Sequence, residues 1–496
     1  MLDAIIEQLT YHHDDPLIFS TSLFLFLFLG FSLVYFLLEK KTTWRLVFVT
    51  LFSYYFYYKS SGFYFFLLAV VTVSDFLLAR GIYHYSQKKG LKCAPTKWLL
   101  LISLLVDLGL LGYFKYTNFF GQMIADCIGS NFQPWDIFLP VGISFFTFQS
   151  MSYTLDIYRG QLKPVNSLLD YAFYVSFFPQ LVAGPIVRAR DFLPQIRRVP
   201  EVTSEMMSRG VYFIAIGLIK KCVISDYISL NFVDRVFDDP SLYSGIENLM
   251  AIYGYTLQIY CDFSGYSDMA IGIALLLGFH FPKNFDTPYI STSVTEFWRR
   301  WHMSFSTWIR DYIYISMGGN RKGKVRTYIN LIVTMLIGGL WHGASLNFVV
   351  WGAMHGLALA CHKFFRSEVL HHDKYYLSHG IKRFLAILLT FHFICFTFIF
   401  FRNVSFDKSL LMIEQMCFNM HWELLPGIIS GYTYVMILIL LGYVSHFIPK
   451  AWKEQPTIAI LQKGGLFAQG LLLVAVIYLV IQTKSSSIQP FIYFQF

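Results

Sequence analysis

Charge is scarce in this chain. Only 14% of its 496 residues are Asp, Glu, Lys or Arg, against about 25% in a soluble domain, which argues against a conventional water-soluble fold. No C-x-x-C pair occurs among the seven scattered cysteines, so neither a disulfide framework nor a metal site is expected. No Lys or Arg precedes Lys40, so the basic stretch that opens a cleavable signal peptide is missing. A Walker loop, Gly-x-Gly-x-x-Gly, His-Glu-x-x-His and Gly-x-Ser-x-Gly are also missing, which removes most nucleotide-binding, zinc-protease and serine-hydrolase readings. No internal repeat, low-complexity stretch or long linker is visible.

What fills the chain is apolar: 56% of residues are hydrophobic, including 51 Phe and 33 Tyr. The long runs do not alternate, so a barrel is excluded and helices must satisfy the backbone in lipid. The expected fold is all-α: a polytopic integral membrane protein with roughly 11–13 embedded helices, some broken, re-entrant or interfacial. The net charge of +9, from 39 Lys+Arg against 30 Asp+Glu, fits basic cytoplasmic loops better than nucleic acid.

Spans are expected near 17–38, 46–58, 63–78 and 98–114, each close to bilayer length. The N-terminal stretch carries Asp3, Glu7, Asp14 and Asp15. Basic loops follow span one (Lys40, Lys41, Arg45) and span three (Arg80, Lys88, Lys89, Lys92, Lys97), which predicts an outside N-terminus. A segment at 139–158 follows. The stretch 177–185 is apolar but holds two prolines and precedes Arg188, Arg190, Arg197 and Arg198; a broken or re-entrant helix forming a cavity wall is expected there. Further segments fall near 210–224, 248–261, 269–279, 328–341, 348–360, 384–401, 431–447 and 466–481. Residues 1–367 read as one compact membrane domain and 368–496 as an accessory bundle.

Two histidines stand in Trp-rich apolar sequence: His302 in Phe-Trp-Arg-Arg-Trp-His-Met-Ser and His342 in Gly-Gly-Leu-Trp-His-Gly. An ionisable ring at membrane depth is by default a functional-site candidate, and imidazole is the natural general base near neutral pH. As one helix, 297–308 gathers Phe297, Trp298, Trp301, Phe305 and Trp308 on a stripe, with Arg299, Arg300 and Arg310 opposite. That pattern places His302 at the edge of an interfacial amphipathic helix; the plainer alternative is a helix anchor. Thr334, Gly338 and His342 share a face, and Gly338 and Gly339 are expected to leave space before His342. The alternative is a core histidine bonded to a neighbouring helix. His355 is a weaker candidate.

Asp262 and Asp268 lie between apolar runs, able to orient a histidine or cap a helix. The loop 281–289, with Asn284, could line a donor entrance or be a plain turn. The basic loop 318–326 is either simple positive-inside charge or a greeting surface for an anionic cytosolic donor. Buried Asp75 and Asp107 would suit a transporter.

The motifs at 139–160, 177–196, 260–289, 296–321 and 338–356 resemble the membrane-bound O-acyltransferase family, its bacterial alginate O-acetyltransferase branch most of all. The resemblance implies a ring of helices around a central tunnel. It makes His342, in Trp341-His342, the catalytic histidine, and gives His302 the family's second polar position. Trp301, Trp341, Asp262, Asn284, Gly338 and Gly339 fall on tunnel or donor-binding positions. It also implies an acyl thioester donor such as acetyl-CoA with no bound cofactor, a bacterial inner-membrane location, and extracytoplasmic acetyltransferase partners. Teichoic-acid D-alanylation, peptidoglycan O-acetylation and phospholipid acylation suit the same scaffold. A transporter and a structural recruiting partner are the readings from other classes.

Overall fold

The computed structural model describes residues 2–12, 15–371 and 379–483. Asp14 of the acidic N-terminal stretch and parts of the C-terminal segment lie outside the described residues. All regular elements among the described residues are helices, with no strand among them. Five helical stretches are long and apolar enough to cross a bilayer, or six if Trp422–Gly431 and Thr433–Phe447, bent by 95°, form one broken span. The longest, Thr42–Lys89, has 48 residues, far beyond the ~20 that one crossing needs.

The chain forms two compact units. One holds the residues up to Ile214 together with Met269–Pro282; the other holds Ala215–Asp268 and the described residues from Lys283 on.

In the first unit, α1 (Ser22–Leu37) starts where the Thr21 hydroxyl accepts from the Phe24 amide at 3.3 Å, an N-cap. Next come α2 (Thr42–Ser61) and α3 (Phe65–Lys89). Gly62 separates them at φ +61, a conformation that costs glycine little. So 42–89 is two crossings, as the sequence indicates, but α3 runs on to Lys89. Arg80, Lys88 and Lys89 therefore sit on the end of a helix and not in a loop, because long basic side chains can reach polar surroundings from a helix end. After α4 (Ala94–Leu111) come α5 (Ile143–Tyr158), α6 (Leu168–Ser176) and the short α7 (Phe178–Leu181). The chain breaks at Phe177 between α6 and α7, and Phe177, Phe178, Leu181, Val182 and Ala183 are all buried. The expected break is present.

Asp75 and Asp107 form the polar centre of this unit. Ser103 donates to Asp75 Oδ1 at 2.7 Å. Ser150 donates to Asp75 Oδ2 and shares a 2.8 Å bond with the Tyr171 hydroxyl. The Asp107 carboxyl faces Asp75. Asp75 is held among hydroxyls of neighbouring helices, with Asp107 beside it.

In the second unit, α8 (Gly245–Leu276) runs for 32 residues, its part up to Asp268 belonging here. It merges the two segments expected at 248–261 and 269–279, so neither Asp262 nor Asp268 caps a helix. Both carboxylates have cations instead. Lys220 Nζ lies 2.7 Å from Asp268, and Lys221 Nζ lies 2.6 Å from Asp262 and 2.8 Å from Asp226. With the charges matched, the helix continues through its polar stretch.

Then come α9 (Val294–Arg300), α10 (Met303–Ile309), α11 (Lys324–His342) and α12 (Leu346–Phe364). Further helices of the unit include α13 (Gly380–Arg402), α14 (Thr433–Phe447) and α15 (Lys450–Thr483), the last kinked at Gly465. Helices α11 and α12 touch backbone to backbone. A Cβ on Gly339 would lie 2.2 Å from the Phe348 carbonyl oxygen, and one on Gly352 would lie 2.5 Å from that of Met335. Small residues permit such approach between membrane helices.

Candidate active site

The sequence pattern through 297–308 is helical, yet the helix breaks at its middle. Trp301 is extended and His302 sits in the left-handed region at φ 42, ψ 55, a strained conformation for a non-glycine residue. The cause is the loop before α9. The Arg300 carbonyl accepts from the Asp286 amide at 2.8 Å, and the Met303 amide donates to the Asn284 carbonyl at 2.8 Å. Those bonds occupy groups that a continuous helix would pair internally. The expectation of an interfacial helix with His302 at its margin is therefore corrected: His302 is fully buried, at the junction of two short helices.

Asn284 fixes the His302 ring. The Asn284 amide Nδ2 donates to Ser267 Oγ at 3.0 Å, so its Oδ1 is the acceptor for His302 Nδ1 at 3.1 Å. The same Oδ1 accepts from Ser304 Oγ at 2.9 Å and from the Ser304 amide at 3.2 Å. A neutral His302 then carries its proton on Nδ1 and presents Nε2 as its acceptor nitrogen. Burial pushes the imidazole pKa well below its usual value, so it stays neutral. The loop 281–289 is thus neither a plain turn nor simply an entrance. Asn284 orients a histidine, the task the sequence had offered to Asp262. Asp262 is committed to Lys221.

His342 is the last residue of α11 and is buried. Its ring packs against Trp341 (4.9 Å), Trp351 (5.2 Å), Phe401 (5.2 Å) and Phe305 (5.3 Å between centroids). Phe305 also stacks on His302 at 5.0 Å and on Trp341 at 4.6 Å. The two histidines, 40 positions apart in sequence, therefore flank one phenyl ring. The glycine face does not leave open space. A Cβ on Gly338 would meet the Phe305 ring at 3.5 Å, and Gly339 is closed by α12. The glycines let Phe305 and α12 close in beside the histidine. Trp301 is core, stacked on Phe297 at 5.4 Å and edge-on to Phe285 at 5.1 Å.

His355 has partners on both nitrogens. Trp298 Nε1 donates to its Nδ1 at 3.2 Å, and its Nε2 lies 3.2 Å from Thr397 Oγ1. The basic loop is tied down through Asn320, whose side-chain oxygen accepts from Lys363 at 2.6 Å, while Arg321, Lys322 and Arg326 stay exposed. Helix α11 starts in that loop and ends at His342 after 19 residues, about 28 Å at 1.5 Å per residue.

Sequence reading missed Lys220 and Lys221, which were counted inside an apolar run, and the orienting role of Asn284. Two adjacent lysines at membrane depth are the signal that could have found the first pair.

Two imidazoles buried among aromatic rings suit proton transfer to and from a hydroxyl or thiol. Residues 92–401 match the family described as MBOAT, membrane-bound O-acyltransferase family, and the chain belongs to that family of acyltransferases. It is a multi-pass membrane protein. It is 42% identical over 352 residues to a probable alginate O-acetylase AlgI of Pseudomonas syringae, covering 70% of this chain and 66% of that protein. A peptidoglycan O-acetyltransferase of Helicobacter pylori is 37% identical over 438 residues, covering 81% of this chain and 80% of the relative. A teichoic acid D-alanyltransferase of Bacillus subtilis is 30% identical over 284 residues, 55% of this chain and 71% of the relative. The match thus spans about two thirds of the length of the alginate relative.

Proposed function

We propose that this chain moves an acetyl group from a cytosolic acyl thioester, most simply acetyl-CoA, toward hydroxyls of an extracytoplasmic polysaccharide, as in alginate acetylation. The observation that carries this reading is the pair His302 and His342 about Phe305, with the His302 tautomer set by Asn284. His342 is the general base. It takes the proton of the acceptor hydroxyl as that oxygen attacks the thioester carbonyl. The new C–O bond forms, the C–S bond breaks, and the proton passes on to the departing thiolate. His302 positions the donor. A general base contributes typically about 10²–10⁴-fold, so orientation within the aromatic pocket supplies much of the remainder.

The donor enters at the cytoplasmic end of the chain, near the basic loop 318–326. Helix α11 puts that loop about 28 Å from His342, so the thioester must be carried on a long arm. In this reading residues 1–367 are the catalytic domain within a ring of helices around a tunnel, 368–496 supply accessory helices, and the N-terminus faces outside the inner membrane. No cofactor stays bound, and acetyltransferase partners outside the membrane complete the transfer.

A second acceptor, peptidoglycan, is favoured by one observation: the Helicobacter pylori relative matches 81% of this chain, against 70% for the alginate relative. Acetyl content of polysaccharide and of peptidoglycan, measured in cells with and without the chain, separates the two. The chemistry is tested by His342→Ala at matched membrane expression. Acetylation is expected to fall by at least about a hundredfold, and wild-type acetylation in that variant would sink the assignment.

A further inference from the structure

A group of lysines in the second unit has no part in the chemistry above. Lys220 lies on Asp268 at 2.7 Å, Lys283 on Asp286 at 2.5 Å, and Arg300 on Glu296 at 2.9 Å. Each of these three carboxylates has a cation. Two further lysines crowd the same place. Lys450 reaches Asp286 at 3.0 Å, a carboxylate that Lys283 already holds, and Lys453 donates to the Ser445 carbonyl. Lys453 is within electrostatic reach of Lys220 and Lys450, with Glu454 and Asp268 as the anions acting on it, and Lys450 is within reach of Lys283. Burial alone would raise the Asp286 carboxyl, yet Lys283 and Lys450 hold it down to about 2. Like charges so placed repel unless an anion lies among them.

His446 gives an independent sign of a ligand. The Tyr289 amide donates to its Nε2 at 3.1 Å, so a neutral ring carries its proton on Nδ1. The ring is buried, its Nδ1 has no partner in good hydrogen-bond geometry among the described residues, and the Thr287 backbone also acts on the ring. The charges of Lys453, Lys220 and Lys450 all act on this ring. A buried N–H facing lysine charge suits an anionic oxygen.

The place also connects to the histidine pair. His446 packs on Tyr260 at 4.7 Å, Tyr260 on Phe285 at 6.0 Å, and Phe285 on His302 at 6.5 Å. Thr295, one residue before Glu296, bonds His362 at 2.8 Å, and neighbouring Lys363 reaches Asn320 of the basic loop. The lysines and that loop therefore lie at the same end of the unit.

We propose that Lys220, Lys450, Lys453 and His446 bind a phosphate ester, the phosphorylated end of the thioester donor. This rests on the acyl-thioester reading above and gives the donor's anionic end a seat, with its acyl arm running along Tyr260 and Phe285 toward His302.

The test uses the full chain in nanodiscs of neutral lipid, with coenzyme A and its phosphate-free fragment pantetheine as probes. Lys450→Gln combined with Lys453→Gln is expected to weaken coenzyme A binding at least about tenfold and to leave pantetheine binding unchanged. Lys450→Arg with Lys453→Arg, which keeps both charges, is expected to stay within about threefold of wild type. Unchanged coenzyme A binding in the glutamine pair, or equal loss of pantetheine, overturns the site. If phosphatidylglycerol vesicles and not coenzyme A bind in a way the glutamine pair abolishes, the phosphate site stands and its source is a lipid headgroup. An active His342→Ala variant would overturn the catalytic reading and leave this binding result untouched.

Discussion

His302 and His342 flank the same phenyl ring but sit in different local structures. His302 is fixed by hydrogen bonds: Asn284 sets its tautomer, and backbone bonds from the same loop impose its left-handed conformation. His342 ends a helix and is enclosed by Trp341, Trp351, Phe401 and Phe305. A ring fixed by directional bonds suits positioning. In the proposed division of roles, proton transfer falls to His342 and placement to His302.

The strongest way to break this comparison is to remove each support in turn. Loss of His342 is expected to cost at least about a hundredfold in activity, with folding little changed. Asn284→Ala comes next. It removes the acceptor shared by His302 and Ser304, so activity should drop about tenfold or more, with about 1–3 kcal/mol of stability lost from buried polar groups left unmatched. Acyl transfer and thermal unfolding of the purified variant, measured together, check both. If Asn284→Ala matched wild type in activity, His302 would need no orientation and the division of roles would fail.

A smaller effect separates the two glycines beside His342. Gly339→Ala places a methyl group 2.2 Å from the Phe348 carbonyl oxygen, so α11 and α12 must move apart. Overpacking of that kind costs about 1–3 kcal/mol. Gly338→Ala meets Phe305 at 3.5 Å, ordinary contact, and is expected to be neutral in stability. Melting curves of the pair in detergent distinguish them; equal effects would show that the helices do not pack as described.

Much of this was legible in the sequence. Apolar runs marked most helices to within a few residues, and Trp341-His342 at the end of such a run marked the catalytic candidate. What was not legible depends on distant partners. The helical periodicity of 297–308 is intact, so nothing local announces the break at His302; bonds from residues 284 and 286 impose it. Asp262 and Asp268 read as boundaries because their cations lie more than 40 positions earlier, at Lys221 and Lys220. Glycines beside a histidine read as empty space, and tertiary packing filled it.

The smallest effect is expected at the third histidine, and it is the most discriminating. Thr397 gives its hydroxyl proton to the Ile394 carbonyl at 2.9 Å, so its oxygen accepts from His355 Nε2, and Nδ1 accepts from Trp298. One nitrogen donates and the other accepts. A glutamine side chain offers the same pair, an amide N–H and a carbonyl oxygen. His355→Gln should therefore keep activity within about threefold of wild type, while His342→Gln, an identical change one helix earlier, should lose the base entirely. Burial and aromatic contact are common to both rings, so only chemistry at the imidazole separates them. Equal losses in the two variants would mean that packing, and not proton transfer, explains the need for His342.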